Sequence, residues 1–307
     1  MISHFISNSL RTNFVLENFY GPIIKQEKML KQINDITVKP VPLDPDREKP
    51  PRGAELVNEY GANIFLCAKK ESGKTSVIRK MIKEFLGPET IVIAFVSTLD
   101  TDPSWIKIRE EIEKTHEFLG YTSIKENGID ILSVLYNEWQ RVAAEREKER
   151  KEKEEEKLIS TKPSSMILFD DDEQEEKKKT KKKKKSKFRE LEYILIFDDL
   201  SNELKNMNLV QLMKNNRHFN CKIIISSQHL NDLLPESRRQ LGIWILFRGH
   251  PITKLKEIHR DADLAISFEE FVELYQIATK EPFNFFYFST RRTDFRKNFN
   301  QRFVIEN

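Results

Sequence analysis

The feature that most constrains the fold is a junction: NIFLCA, Asn63 to Ala68, runs through KKESGKT directly into SVIRKMIKEFL. An apolar run of strand length meets a glycine-lysine loop, and behind it Val77, Ile78, Met81, Ile82 and Phe85 recur at helical spacing. Gly87 and Pro88 then stop the helix. A strand without polar alternation is buried on both faces, so it needs parallel neighbours and helices to cover them.

Those neighbours can be read farther along. IVIAFV (Ile91 to Val96), YILIF (Tyr193 to Phe197), CKIIIS (Cys221 to Ser226) and IWILF (Ile243 to Phe247) are runs of the same kind, with helices predicted around Leu209 to Lys214 and Leu230 to Leu241. Strand and helix alternate, which predicts an α/β fold with a mostly parallel central sheet, flanking helices and right-handed crossovers. Near the C-terminal end, Ser267 and Glu270 have capping-box spacing ahead of FVELYQIA. The aromatic strand FNFFYF follows, and then a basic tail in which Phe295, Phe299 and Phe303 stand one helical turn apart.

The 307 residues, 38% of them hydrophobic, suffice for one substantial core. KPVPLDPDREKPPR, Lys39 to Arg52, is too rich in proline and charge for continuous helix or sheet, so residues 1–58 are expected to be an arm and linker and 59–307 the main domain. An apolar stripe of Ile131, Leu132, Leu135, Trp139 and Val142 gives way to EREKERKEKEEEK, and DDDEQEEKKKTKKKKKSK lies beyond it. With little to bury, residues 145–188 are expected to form a mobile insertion. Its lysine run, Lys177 to Lys187, suits non-specific contact with DNA phosphates, and equally a solubilising tract or a localisation signal.

A net charge of +3 neither demands nor excludes a polyanionic partner. The N-terminus lacks a secretory pattern and no run is long enough to span a bilayer, so a cytosolic protein is expected. Cys67 and Cys221 sit inside strands, as reduced core thiols do, which argues against a disulfide framework or a cysteine metal site.

Ala68 to Thr75, AKKESGKT, fits the phosphate-loop pattern G-x-x-x-x-G-K-[ST] with alanine in the first glycine position. The amides of Ala68, Lys69, Lys70, Glu71, Ser72 and Gly73, with the helix start at Lys74, Thr75 and Ser76, would surround the phosphates of ATP. Lys74 supplies a point charge to the terminal phosphates, and the Thr75 hydroxyl faces Mg2+. Alanine resists positive φ, so the departure at Ala68 bears on affinity.

ILIFDD delivers Asp198 and Asp199 at the C-terminal edge of a strand, where ligands of open α/β sheets bind. Asp198 is expected to hold Mg2+, usually through water. Asp199 stands where additional-strand P-loop ATPases carry a carboxylate, usually glutamate, that polarises the attacking water. Paired aspartates after a strand are also common as helix caps or turns. Gln228, after ISS, is the choice for a γ-phosphate sensor, against its reading as a plain loop glutamine.

Taken together these motifs resemble the DNA-packaging ATPases of poxviruses, other giant viruses and virophages, in the FtsK-HerA branch of P-loop NTPases. The resemblance covers most of Asn63 to Phe299 and also rests on STLDTDPSW, NNRHFN, ISSQ, LPESRRQ and IATKEPFNFFYFST. It implies a homo-oligomeric ring that couples ATP hydrolysis to driving double-stranded DNA into a preformed capsid, with capsid or portal-vertex proteins as partners. The location it implies is the host cytoplasm and the virion. It also implies an arginine acting in trans, matched here by Arg238 with Arg239 adjacent and Arg217 as a weaker match. A nucleotide-dependent switch that recruits capsid or replication partners, and a HerA-like helicase, are the rival readings.

Overall fold

Apolar runs become strands where the sequence predicts them. The computed structural model describes residues 50–160 and 191–305, with the backbone alone over 153–160. Nearly all of the expected arm and linker, and the 161–188 part of the expected insertion, lie outside the described residues.

Five strands, β1 (Asn63–Cys67), β2 (Thr90–Val96), β6 (Glu192–Asp198), β7 (Cys221–Ser227) and β8 (Ile243–Phe247), correspond to the five aliphatic runs. With β3 (Glu117–Tyr121), β9 (Phe285–Ser289), β10 (Asp294–Lys297) and β11 (Gln301–Arg302) they form a 9-stranded sheet of order β11-β10-β9-β8-β1-β7-β6-β2-β3. From β3 to β8 the pairings are parallel, and β9, β10 and β11 add an antiparallel edge. Strands β4 (Lys125–Glu126) and β5 (Ile129–Asp130) make a separate hairpin.

Alternate residues of each central strand feed opposite faces. Ile64 and Leu66 pack with α1 (Lys74–Phe85) and α2 (Pro103–Glu113) through Ile78, Met81, Trp105 and Ile108. Phe65 and Cys67 join the other core, to which α3 (Ile131–Ser160), α4 (Met207–Asn215), α6 (Ile252–Ala262) and α7 (Phe268–Ala278) contribute. Both cysteines are buried free thiols, and burial pushes both thiol pKa values up. Ser267 caps α7, its Oγ accepting from the Glu270 amide at 3.1 Å.

Three expectations need correction, and an edge strand of the sheet was missed. Helix α3 does not stop at residue 145 but runs on to Ser160. Glu, Lys and Arg are good helix formers, and exposed pairs such as Arg141–Glu138, Arg141–Glu145 and Arg150–Glu147 support a helix without an apolar stripe. No single helix spans Leu230 to Leu241. Pro235 can start a helix but not continue one, so a 3₁₀ turn at Leu230–Asp232 is followed by the short α5 (Pro235–Arg238). Phe295 lies in β10, and the chain through Phe299 and Phe303 is hairpin rather than helix. Phe295 and Phe303 join one core and Phe299 the other. Finally, β3 was not anticipated, because EFLGY is short and half polar, as an edge strand can be.

Candidate nucleotide site

The C-terminal ends of β1, β7 and β6 are neighbours in the sheet, so whatever follows these strands converges. After β1 the chain turns through Glu71 (φ 61) and Gly73 (φ 90) and enters α1 at Lys74. Gly73 is the residue the left-handed turn requires. Ala68 is buried, is not among the positive-φ residues, and donates its amide to the Ser227 carbonyl at 3.3 Å. The alanine therefore sits where no glycine conformation is needed, and the left-handed positions fall farther along the loop.

Lys74 extends from the first turn of α1 across the mouth of β7 to the end of β6. Its Nζ lies 3.0 Å from Asp198 Oδ1 and 2.5 Å from Asp199 Oδ2. Asp198 is 3% exposed, and its other oxygen accepts a hydrogen bond from Trp105 Nε1 at 2.9 Å. Asp102 caps α2 by accepting from the Ser104 amide at 2.7 Å, and Pro103 begins it, which fixes the indole in the first turn facing β6. Asp199 follows in a left-handed conformation (φ 55) with a third of its side chain open to solvent. One carboxylate is thus buried and oriented, and the other is accessible.

The β7 register sets Ser226 beside Asp198, and its buried Oγ has no hydrogen-bond partner. Gln228, two residues on, is half-buried. Its carbonyl accepts from Lys254 Nζ of α6 and from Cys67 Sγ at 3.7 Å, so the backbone of this loop is tied to α6 and β1. His250 Nε2 donates to the Cys67 carbonyl at 3.0 Å. Burial, then the charges of Lys254 and Lys69, draw the His250 pKa down to about 4, which keeps the ring neutral.

Arg238 is engaged within its own chain. Its guanidinium donates to the Leu233 carbonyl at 3.1 Å and to Asn231 Oδ1 at 2.6 Å, and it pairs with Glu257 at 3.3 Å and Asp261 at 3.2 Å. Arg239, at the end of the same helix, and Arg217 are both exposed.

Trp105 escaped the functional reading of the sequence, and Ser226, in the same stretch as Gln228, was passed over in favour of that residue. The signal for Trp105 was present, since D-P-S-W sets a helix cap, a helix start and a tryptophan within one turn. Its partner, however, is 93 residues away. We expect Trp105→Phe to keep the fold and lose about 1–3 kcal/mol of stability by leaving a buried carboxylate oxygen without its donor. Thermal melting checks this; an unchanged melting temperature would show that the indole does not hold Asp198.

With β7 inserted between the phosphate-loop strand and the carboxylate strand, the fold is that of the P-loop NTPases of the additional-strand class. No protein-family model and no curated protein matches the chain. Among solved structures it is similar to the genome packaging NTPase B204 from Sulfolobus turreted icosahedral virus 2 in complex with AMP. Identity there is 16% and the TM-score 0.46, over 80% of this chain and 98% of that one. The DNA-packaging ATPase B204 from Sulfolobus turreted icosahedral virus matches at 15% identity and TM-score 0.46, over 80% and 99%. The cytoplasmic domain of the Thermomonospora curvata type VII secretion ATPase EccC matches at 12% and TM-score 0.42, over 75% of this chain and 24% of that one. The TM-scores are below 0.5, and the fold assignment stands on the strand order and register above.

Proposed function

We propose that the protein is an ATP-hydrolysing motor that drives double-stranded DNA into preformed capsids. It would act as a homo-oligomeric ring alongside capsid or portal-vertex proteins, in the host cytoplasm and the virion. The observation that carries the enzymatic part is Lys74 reaching both Asp198 and Asp199 from the phosphate loop. The DNA and capsid part rests on the ordered motifs read in the sequence.

In this reading the loop amides and the start of α1 hold the phosphates, and Lys74 exchanges its carboxylate partners for phosphate oxygens. Asp199, released and accessible, accepts a proton from water as the water oxygen bonds to the γ-phosphorus. The bond from that phosphorus to the β–γ bridging oxygen breaks, leaving ADP and inorganic phosphate. Magnesium fits the residues present, since Asp198 Oδ1 faces the loop with the Lys74 ammonium group as its partner, which a bound phosphate would draw away, and the Thr75 hydroxyl stands in the first turn of α1. When bound it would neutralise phosphate charge. Gln228 and Ser226, at and just after the end of the strand between the two nucleotide motifs, would contact the γ-phosphate. Because Arg238 is anchored to α6, we assign the trans contact to Arg239 and an anchoring role to Arg238.

The test is ATP turnover with and without blunt duplex DNA, read together with displacement of a triplex-forming strand from that duplex. A packaging motor is stimulated by duplex and displaces the third strand without separating the duplex. Stimulation by capsid protein alone would favour the nucleotide-dependent switch, and strand separation the HerA-like helicase.

A further inference from the structure

Lys74 marks the γ end of the site, on the side of β6. A phosphate chain that follows the loop away from that end carries its nucleoside out over the opposite neighbours of β1, which are β8 and then β9. These two strands pair antiparallel with Phe247 opposite Phe285, so the loop after β8 and the loop before β9 emerge at the same edge of the sheet as the phosphate loop. Both touch its surroundings. A Cβ at Gly249 would lie 3.5 Å from Lys69 Nζ, and one at Gly73 would lie 3.4 Å from Phe283 Cδ1.

Phe283 itself is unusual in two respects. It is 67% exposed, and its φ of 63° is a left-handed conformation that bulky side chains disfavour. The turn is nonetheless fixed by its neighbours. Asn284 Nδ2 donates to Glu281 Oε2 at 2.7 Å, Asn298 Nδ2 to Asn284 Oδ1 at 2.9 Å, and the Phe285 amide to Asn298 Oδ1 at 3.1 Å. Lys297 pairs with the same Glu281 at 3.4 Å. A polar network thus holds an aromatic ring in solvent, against the phosphate loop, in a backbone conformation it would not choose. Strain that is over-determined by its surroundings and placed at a site is a mark of function.

We propose that Phe283 is the platform on which the purine base of the bound nucleotide stacks. This rests on the nucleotide-binding reading of the phosphate loop and adds the residue that recognises the base. Stacking accepts any π-face, so the site would prefer nucleotides over inorganic polyphosphates more than one base over another.

The experiment is calorimetric titration of the full chain with magnesium and either the non-hydrolysable analogue AMPPNP or inorganic tripolyphosphate. The proteins compared are the unaltered chain, Phe283→Ala, Phe283→Trp and Lys74→Ala. The unaltered chain should bind AMPPNP more tightly than tripolyphosphate. Phe283→Ala should weaken AMPPNP about tenfold and leave tripolyphosphate unchanged, while Phe283→Trp keeps the preference. Lys74→Ala should weaken both probes. Equal affinities in the unaltered chain, or an alanine variant that weakens neither probe or both alike, would overturn the base platform while leaving the phosphate site standing. A change in association state with unaltered AMPPNP affinity would overturn it in favour of a subunit contact. Failure of the unaltered chain to bind either probe would remove the nucleotide reading and this inference with it.

Discussion

Lys74→Ala is expected to lower ATP turnover by on the order of 10²–10³-fold or more and to weaken ATP binding, because in the proposed site it removes the positive charge directed at the terminal phosphates. The other lysines of the loop are engaged elsewhere: Lys69 lies toward Gly249 and Lys70 is exposed to solvent. The substitution has a second consequence, since Asp198 and Asp199 share this ammonium group. Without it Asp198 keeps Trp105, but the buried carboxylate faces a second carboxylate with no cation between them. Some loss of stability in the absence of nucleotide is therefore expected, and melting must be measured beside turnover. Lys74→Ala that is folded and turns over at the original rate would exclude Lys74 from the chemistry and sink the ATPase assignment.

Much of the sheet could be read in the sequence, because a strand buried on both faces must be apolar throughout. NIFLC, TIVIAFV and CKIIISS carry that requirement openly. Edge strands do not, which is why EFLGY and the QR of β11 gave no signal. The spacing of Phe295, Phe299 and Phe303 misled because four residues match one helical turn, whereas pairing of β10 with β9 and β11 makes the segment a hairpin whose turn sends Phe299 to the other core. Helix α3 reached past its apolar stripe because charge pairing along one helix is local, and no tertiary contact is needed to sustain it.

Within the site, the phosphate loop and the paired aspartates were legible because backbone geometry and charge dictate residue type at fixed spacing. Partners brought together by the sheet were not. Nothing local joins Trp105 to Asp198, Lys254 to the Gln228 carbonyl, or Phe283 to Gly73. Arg238 matched its motif position, yet α6 supplies Glu257 and Asp261 to hold it, and a match by order along the chain contains no information about that packing.

Asp199→Asn separates binding from chemistry. Asparagine keeps the shape of the side chain and tolerates the left-handed backbone at this position, where φ is 55°, so the fold and the Asp198 contacts are retained. What disappears is a carboxylate able to take a proton from water, and with Asp199 as the proposed general base its loss is expected to slow hydrolysis by about 10²–10⁴-fold. Nucleotide affinity moves the other way. Asp199 Oδ2 lies 2.5 Å from Lys74 Nζ, and a bound phosphate must draw the ammonium group away from that charge. A neutral amide competes less well, so the variant is expected to bind magnesium-ATP at least as tightly as the unaltered protein while turning it over slowly. Equilibrium binding of a fluorescent ATP analogue and single-turnover hydrolysis give the two numbers independently. Asp198→Asn supplies the contrast, since it alters the carboxylate that Trp105 orients and should weaken magnesium-dependent binding itself. If Asp199→Asn hydrolyses ATP at the original rate while Asp198→Asn is inactive, the water is activated by another group and Asp199 serves only to park Lys74 between turnovers.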